Sequence, residues 1–181
     1  MALEHALLVS LRERPATGIE LTRRFDRSIG FFWRATHQQI YKVLKRMEGD
    51  RWVTATAGEA RSTERRYTVT KAGEQVLAEW IGSPTPAMTM RSDLAVKMRG
   101  ASYGDRDRLL AHLDDLADEH RARLAHFEQL EREQFPRTGD GPQDLTDQAL
   151  DTWLVLRGGI KQEQFWIEWL TEYTDEHRER R

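Results

Sequence analysis

Apolar residues recur at spacings of three and four along most of the chain, which is the period of helices with one buried face. The pattern is clearest in residues 36–47, THQQIYKVLKRM. One face of this stretch consists of Ile40, Val43, Leu44 and Met47. Thr36 and Gln39 match a capping box, in which each side chain accepts a hydrogen bond from the backbone N–H of the other residue. The opposite face consists of Gln38, Tyr41, Lys42, Lys45 and Arg46. The stretch therefore predicts a capped amphipathic helix with a cationic outer face.

Two shorter helices are predicted ahead of it. Apolar residues from Leu3 to Leu11 fit a first helix, which Pro15 ends. Thr17 and Glu20 match a second capping box, and the helix that it begins continues to Phe25. The chain thus reaches residue 36 after two helices.

The pattern changes after residue 51. In residues 52–57 and 65–70 the period falls from 3.6 to 2, which predicts two strands joined by a polar loop, residues 58–64. Thr70 then caps a fourth helix that extends to Ile81. Helix, helix, helix, hairpin and helix is the order of a winged helix-turn-helix, in which the third helix enters the major groove of DNA and the hairpin is the wing.

This order makes the outer face of the third helix a candidate DNA interface. The residues predicted to meet the major groove are Thr36, His37, Gln38, Gln39, Tyr41 and Lys42, and those predicted to bind phosphates are Lys45 and Arg46. Either glutamine could pair with an adenine edge. The wing offers Arg61, Arg65 and Arg66 to the backbone or the minor groove. The alternative for both surfaces is that their charges are merely solvated.

Charge and composition fit this interpretation. The 181-residue chain has a net charge of −2, but residues 1–81 hold 14 Lys and Arg against 10 Asp and Glu, whereas residues 82–181 hold 14 against 20. A basic first half favours a polyanionic partner. No apolar run approaches the ~20 residues of a membrane span, no signal peptide is visible, and there is no cysteine. We therefore expect a cytoplasmic protein without membrane association, disulfides or thiolate sites.

Three runs in the first half resemble the PadR-type transcriptional regulators: TGIELTRRF, GFFWRATHQQIYKVLKRMEGDRWV and RRYTVTKAGEQVLAEW. The resemblance covers residues 1–81 and implies that residues 39–42 lie on the DNA side, with Tyr41 matching a tyrosine that the family keeps at the DNA surface. The chain departs from the family in its wing, RSTERRY, and at Arg51 and Trp52, where the family usually has Gly-Leu. An Arg51 with positive φ would carry strain that glycine avoids.

The second half predicts two long helices behind a linker. The linker, residues 82–104, begins with GSPTP and includes a short helix around residues 94–98; the helices run over residues 105–135 and from residue 146 to residue 177. Such a hairpin has little else to bury against, so we expect residues 105–181 to form a homodimer, as in the PadR subgroup with a long C-terminal helical domain. The predicted interface consists of Leu109, Leu113, Leu116, Leu124, Phe127, Leu130, Trp153, Leu156, Ile160, Ile167 and Leu170. Two copies of the third helix, ~34 Å apart, would bind the two halves of a pseudo-palindromic DNA site.

The last helix is rich in aromatic residues. Trp153, Phe165, Trp166 and Trp169 are either core and dimer packing or the walls of a pocket for a small aromatic effector. Gly158 and Gly159 lie in the same helix, where close approach of another helix would explain them.

No motif points to catalysis. The sequence has no phosphate loop, nucleophile elbow or HExxH, and His112 with His120 is a weak metal pattern. We therefore expect no enzyme activity, no cofactor and no metal. The sequence predicts a dimeric, sequence-specific regulator that binds double-stranded DNA, most simply as a repressor; the alternative is a winged-helix and coiled-coil protein-interaction scaffold without specific DNA binding.

Overall fold

The computed structural model describes residues 3–27, 35–57, 65–85, 92–136 and 145–180. The chain divides into two compact units, Met1–Met88 and Thr89–Arg181. The first unit contains helices and a small sheet, and the described part of the second is helical. The predicted fold class, mainly helical with a β-hairpin in the first unit, is confirmed.

The first unit has the predicted order of elements with one addition. In chain order it consists of α1 (Leu3–Glu13), β1 (Ala16–Thr17), α2 (Gly18–Arg27), α3 (His37–Gly49), β2 (Val53–Ala57), β3 (Arg65–Val69) and α4 (Lys71–Ile81). The sequence pattern does not predict β1. This two-residue strand pairs with β3, so the hairpin becomes a three-stranded antiparallel sheet in the order β1-β3-β2.

The helices and the sheet of the first unit share one apolar core. Its fully or nearly buried members include Leu7, Leu8, Leu11, Leu21, Phe25, Ile40, Leu44, Met47, Val53 and Tyr67. Three of the four residues predicted for the inner face of α3 are in this set, and Val43 packs against it. Burial of these side chains holds α3 by its inner face and leaves its outer face free for other contacts.

The corner between α3 and β2 is tied to α4 by one threonine. Arg51 has a φ of 60°, the left-handed conformation that the sequence analysis considered for it. The Thr70 hydroxyl donates to the Arg51 carbonyl at 2.6 Å and accepts from the backbone N–H of Gly73 at 3.1 Å, and the Thr70 N–H donates to the Trp52 carbonyl at 2.9 Å. Hydrogen bonds to Thr70, the N-cap residue of α4, therefore hold the strained corner in place.

The second unit consists of α5 (Asp93–Arg99), a short 3₁₀ turn (Ala101–Tyr103), α6 (Arg106–Gln134) and α7 (Asp147–Glu179). Contacts join Asp114 to Arg178, His120 to Glu163 and Glu131 to Trp153, so α6 and α7 are antiparallel, as predicted. Although the sequence analysis assigned α5 to the linker, its Met98 packs in the core of this unit with Leu113 and Leu170.

The predicted dimer stripe is largely used between α6 and α7 of a single chain. Leu113, Phe127, Leu156, Ile160 and Leu170 are buried there, and the other six residues of the predicted interface are half-buried. The buried five have no surface left for a second copy. The exposed large apolar side chains of α7 are instead Leu154, Val155 and Phe165. Gly158 follows Leu154 and Val155 by about one helical turn. A Cβ added at Gly158 would meet nothing within 4 Å, so no packing within the described chain explains this glycine.

Candidate nucleic-acid interface

The N-terminus of α3 has the capping geometry that its sequence predicts. The Thr36 hydroxyl accepts from the Gln39 N–H at 3.3 Å, and the Gln39 Oε1 accepts from the Thr36 N–H at 2.9 Å. This arrangement engages the oxygen of the Gln39 side chain. Gln38 is exposed and makes no such bond among the described residues. Of the two glutamines predicted to read adenine, Gln38 therefore keeps both of its amide groups available.

Tyr41 is positioned by a glycine in α2. Its side chain is 44% exposed, yet its ring lies against Gly18, where an added Cβ would come within 2.6 Å of the Tyr41 Cζ. Gly18 is the first residue of α2, which begins at the Thr17–Glu20 capping box. Because no side chain separates this turn from the ring, the Tyr41 hydroxyl is held at the outer surface between α2 and α3.

The two lysines of α3 differ from its arginine. Lys42 and Lys45 are exposed and form no ion pair within the part of the chain that the structure describes. Arg46 lies 3.1 Å from the Glu4 carboxylate of α1, whose side chain is only 8% exposed. A buried carboxylate is strongly destabilised when its cation is removed. Arg46, predicted to bind phosphate, therefore has a structural role in joining α3 to α1.

The described wing arginines are also held by carboxylates of the protein. Arg65 makes a two-pronged ion pair with Glu48 in the last turn of α3, with Nη1 2.9 Å from Oε2. Arg66 donates to the Pro15 carbonyl at 2.9 Å and lies 3.2 Å from the Glu20 carboxylate. These contacts fasten β3 to α3 on one side and to the β1–α2 turn on the other. Arg61, the third predicted wing contact, lies outside the described residues.

In and beside these ion pairs, three groups have shifted pKa values. The pKa of Glu20 is held below its usual value, first by the hydrogen bond that its carboxylate accepts from the Thr17 N–H and then by Arg66. Glu48 raises the pKa of Arg65. Burial raises the pKa of Tyr67, the residue that follows both arginines in β3. Arg65 and Arg66 thus each have a carboxylate of the protein beside them.

The three carboxylates that hold these arginines were not identified from the sequence. The sequence predicts the capping box of Glu20. Its second contact, the ion pair with Arg66, joins residues that are 46 positions apart. The position of Glu48 is weak evidence for its ion pair. A carboxylate in the last turn of a helix interacts unfavourably with the helix dipole, and a nearby cation offsets this. Nothing local distinguishes Glu4 from a surface glutamate.

The outer face of α3 is therefore defined by Gln38, Tyr41, Lys42 and Lys45, with His37 exposed at the first helical position. We call these five residues the reading face. They offer amide, hydroxyl and ammonium donors, which suit base edges and phosphates. The described part of the chain contains no group of three or more His, Cys, Asp or Glu residues that could hold a metal.

The residues predicted for an effector pocket form two separate sites. Phe165, Trp166 and Trp169 cluster with ring centroids 5.5 to 6.0 Å apart, and the His120 ring stacks on Trp166 at 5.5 Å. Trp153 precedes Phe165 by twelve residues, about 18 Å along a helix, and its Nε1 donates to Glu131 at 2.9 Å. Within one chain Trp153 therefore lies apart from the other three, and a pocket that includes all four residues stays a prediction.

Comparisons with known proteins cover both units. Residues 7–79 match the family model described as "Transcriptional regulator PadR-like family", and residues 90–178 match the one described as "Virulence activator alpha C-term". The chain is 43% identical over 193 residues to a probable transcriptional regulator of Mycobacterium tuberculosis, with 100% of both chains covered. It is 26% identical over 172 residues to the negative transcriptional regulator PadR of Bacillus subtilis, with 93% of both covered.

Solved structures agree with these sequence matches. The virulence activator AphA of Vibrio cholerae superposes with a TM-score of 0.82 at 32% identity, over 99% of each chain. Bacillus subtilis PadR in complex with operator DNA superposes with a TM-score of 0.82 at 24% identity, over 96% of this chain and 97% of that chain. The second likeness supports the fold alone. Among the described residues, no helix has the length and apolar character needed to span a membrane.

Proposed function

Because the chain belongs to the PadR-like family of transcriptional regulators, we propose that it acts as a homodimeric repressor that binds a pseudo-palindromic operator. In this proposal α3 enters the major groove in each half-site. The observation that carries the proposal is the reading face: its side chains are exposed while the opposite face of the same helix is buried in the core. A helix held rigidly from behind, with uncommitted donors in front, suits recognition of base edges.

The reading face divides into two roles. Gln38 and Tyr41 would meet base edges or the sugar–phosphate border, and Lys42 and Lys45 would neutralise phosphates. The single chain engages Arg46, Arg65 and Arg66 in ion pairs, so the lysines carry the uncompensated charge of the described interface. Each lysine that contacts a phosphate contributes about 0.9 to the salt slope of binding.

The homodimer would form through the second unit. Leu154, Val155 and Phe165 are between 48% and 54% exposed on α7, and Gly158 on the same helix leaves room for a close neighbour. Large apolar side chains exposed along one helix favour a protein partner. A dimer would bring two reading faces to one operator, whose half-sites lie about one DNA turn, ~34 Å, apart. Analytical ultracentrifugation of Leu154→Lys and Phe165→Lys variants tests this surface, and unchanged sedimentation of both variants would count against it.

Repression is proposed from the family and not from the interface itself. The Bacillus subtilis relative is named a negative regulator, whereas the Vibrio cholerae relative is named an activator. The two roles differ in where the operator lies relative to the promoter. Transcription in vitro from the upstream region of the gene, with and without the protein, distinguishes them, since repression lowers the transcript and activation raises it.

A small aromatic effector would relieve repression. Bacillus subtilis PadR has been solved with p-coumaric acid, and the cluster of Phe165, Trp166 and Trp169 offers flat apolar surfaces to such a molecule. Titration with p-coumaric acid, followed by tryptophan fluorescence, should give quenching that Trp166→Phe abolishes and the matched Trp153→Phe change preserves. Equal loss in both variants, or no effect of the acid on operator affinity, would refute the assignment.

DNA binding itself is tested by selection of bound duplexes from a random pool, followed by fluorescence anisotropy at two salt concentrations. We expect a two-fold symmetric sequence and a steep salt slope. Lys42→Ala should make the slope shallower by about 0.9 for each subunit that contacts DNA. Lys97→Ala is the matched control, because it removes an equal charge from an exposed site on α5. A pool without enrichment would exclude sequence-specific recognition.

A protein-interaction scaffold is the second candidate. It is favoured by the same ion pairs, since three arginines near α3 and the wing are already compensated by carboxylates. Substitution of Gln38 and Lys42 to Ala discriminates the two candidates, because neither side chain contributes to the core. Loss of operator binding and regulation in an intact dimer supports the regulator, and unchanged regulation supports the scaffold.

A further inference from the structure

Glu48 occupies a position that helix stability does not explain. It lies in the last turn of α3, where the partial negative charge of the helix C-terminus opposes a carboxylate. Its side chain is about one-third exposed, and both of its oxygens face the guanidinium of Arg65. A fork-to-fork pair of this kind fixes orientation as well as distance. The local function of Glu48 is therefore to hold Arg65.

Arg65 is the point at which the wing returns to the sheet. It is the first residue of β3 and pairs with Ala57, the last residue of β2. The ion pair with Glu48 thus connects the base of the wing to the C-terminal end of α3. The strand ladder sets the register of β2 with β3, and the Glu48–Arg65 pair sets the position of both relative to α3.

The pair also removes a cation from the exposed surface. A free arginine at the base of a wing binds the phosphates of any DNA sequence, because backbone contacts carry no sequence information. Bound to Glu48, Arg65 has a carboxylate in place of a phosphate. The described part of the interface then attracts DNA mainly through Lys42 and Lys45, next to the side chains that read bases.

We propose that Glu48 is a specificity-determining positioning residue, which keeps Arg65 away from DNA phosphates and thereby lowers the affinity for DNA of arbitrary sequence. Arg65 remains paired with Glu48 in the operator complex and contributes to it by holding the wing in place. This inference rests on the proposed DNA-binding function. It predicts that removing one negative charge changes discrimination between sequences and not only overall affinity.

The test uses the full-length protein, the duplex recovered by selection and a shuffled duplex of equal length and composition. Affinities are measured by anisotropy at about 50 and 200 mM potassium chloride. Glu48→Gln should bind the shuffled duplex about threefold more tightly at the lower salt concentration, with a slope steeper by about 0.9 per subunit in contact, which is the signature of one additional phosphate contact. Operator binding gains the same contact but loses the fixed position of the wing, so the ratio of operator to shuffled affinity should fall.

Two further variants make the result specific. In Glu48→Gln/Arg65→Gln the released cation is absent, so affinity for the shuffled duplex and the salt slope should return to the wild-type values. Arg65→Gln alone should weaken operator binding without changing the slope. Glu74→Gln is the matched control, since its carboxylate lies 2.6 Å from Arg12 on the same unit and its loss changes net charge equally. We expect this control to leave the specificity ratio unchanged.

The inference is overturned if Glu48→Gln shows the same slope and specificity ratio as Glu74→Gln. It is also overturned if Arg65→Gln alone makes the slope shallower by about 0.9, because Arg65 would then already contact phosphate in the wild type. Circular dichroism and thermal unfolding of each variant establish that it is folded. Operator binding by the wild type tests the proposed function separately, so failure of Glu48→Gln to behave as expected refutes only the role of Glu48.

Discussion

Gly73 provides the most stringent test of the structure, because its neighbour is main chain. A Cβ at this position would lie 2.9 Å from the Val69 Cγ1, 3.0 Å from the Trp52 carbonyl carbon and nearer still to the carbonyl oxygen. The oxygen cannot rotate away, since it accepts the Thr70 N–H. Gly73→Ala must therefore push the first turn of α4 away from the corner between α3 and β2.

The expected cost follows from the contacts that move. Overpacking by one methyl group costs about 1–3 kcal/mol, and weakening the Thr70 hydrogen bonds costs about 1 kcal/mol for each bond lost. Against this, alanine gains at most about 1 kcal/mol over glycine in a helix. With one hydrogen bond lost, the net destabilisation is about 1–3 kcal/mol. For a unit of this size that corresponds to a fall in Tm of about 5–20 °C.

Gly49→Ala is the matched control. It makes the same chemical change at the end of α3, where an added Cβ meets nothing within 4 Å. Its expected effect has the opposite sign, a stabilisation of up to about 1 kcal/mol. Guanidinium unfolding followed by circular dichroism, with the slope m checked for constancy, measures both variants. Equal effects of the two substitutions, or a Gly73→Ala protein as stable as the wild type, would refute the packing described for the corner.

Three further changes have defined outcomes. Arg51→Gly should raise the unfolding free energy by about 0.5–1 kcal/mol, because glycine adopts positive φ without steric cost; a lower value in chemical denaturation would contradict the strain. Gly18→Ala should displace the Tyr41 ring and weaken operator binding while costing less than about 1 kcal/mol of stability, since a flexible side chain can move; unchanged anisotropy would show that the ring position is irrelevant. Glu20→Gln should lower stability at neutral pH and lessen its loss in acid: the folded pKa of Glu20 is depressed, so its contribution is present above its usual value of 4.5 and is lost as pH falls through the folded pKa. Thermal melts between pH 3 and pH 7 that run parallel to those of the wild type would exclude this contribution.

Local features of the first unit were predictable from sequence. The capping boxes at Thr17 and Thr36 involve residues three positions apart, so their hydrogen bonds follow from spacing alone. The positive φ of Arg51 could be anticipated because a helix that turns sharply into a strand requires one residue outside the right-handed regions. In each case the physics is contained within a few consecutive residues.

Features that join distant residues were not predictable in the same way. The two residues of β1 carry no alternation, and their partners in β3 lie about fifty positions later. The ion pairs of Arg46, Arg65 and Arg66 depend on how helices and strands pack, so no sequence pattern predicted them. Each is bound to a carboxylate of the folded chain.

The apolar stripe along α6 and α7 was predictable as buried, but its packing partner was not. Spacings of three and four identified Leu113 and Leu170 as buried, and they are. The spacing of the apolar residues does not show which helix packs against them, because packing within a hairpin and packing between two copies require the same pattern. The structure assigns these residues to contacts between α6 and α7, and leaves Leu154, Val155 and Phe165 exposed for the proposed dimer.

The two close-packed glycines of the first unit predict different evolutionary histories. The obstacle at Gly73 is the carbonyl of Trp52, which every amino acid possesses, so no second substitution can compensate for a side chain at this position. The obstacle at Gly18 is the side chain of Tyr41, which can be exchanged for a smaller one. Across related sequences position 73 should therefore be nearly invariant, whereas position 18 should hold a larger residue only where position 41 is smaller than tyrosine.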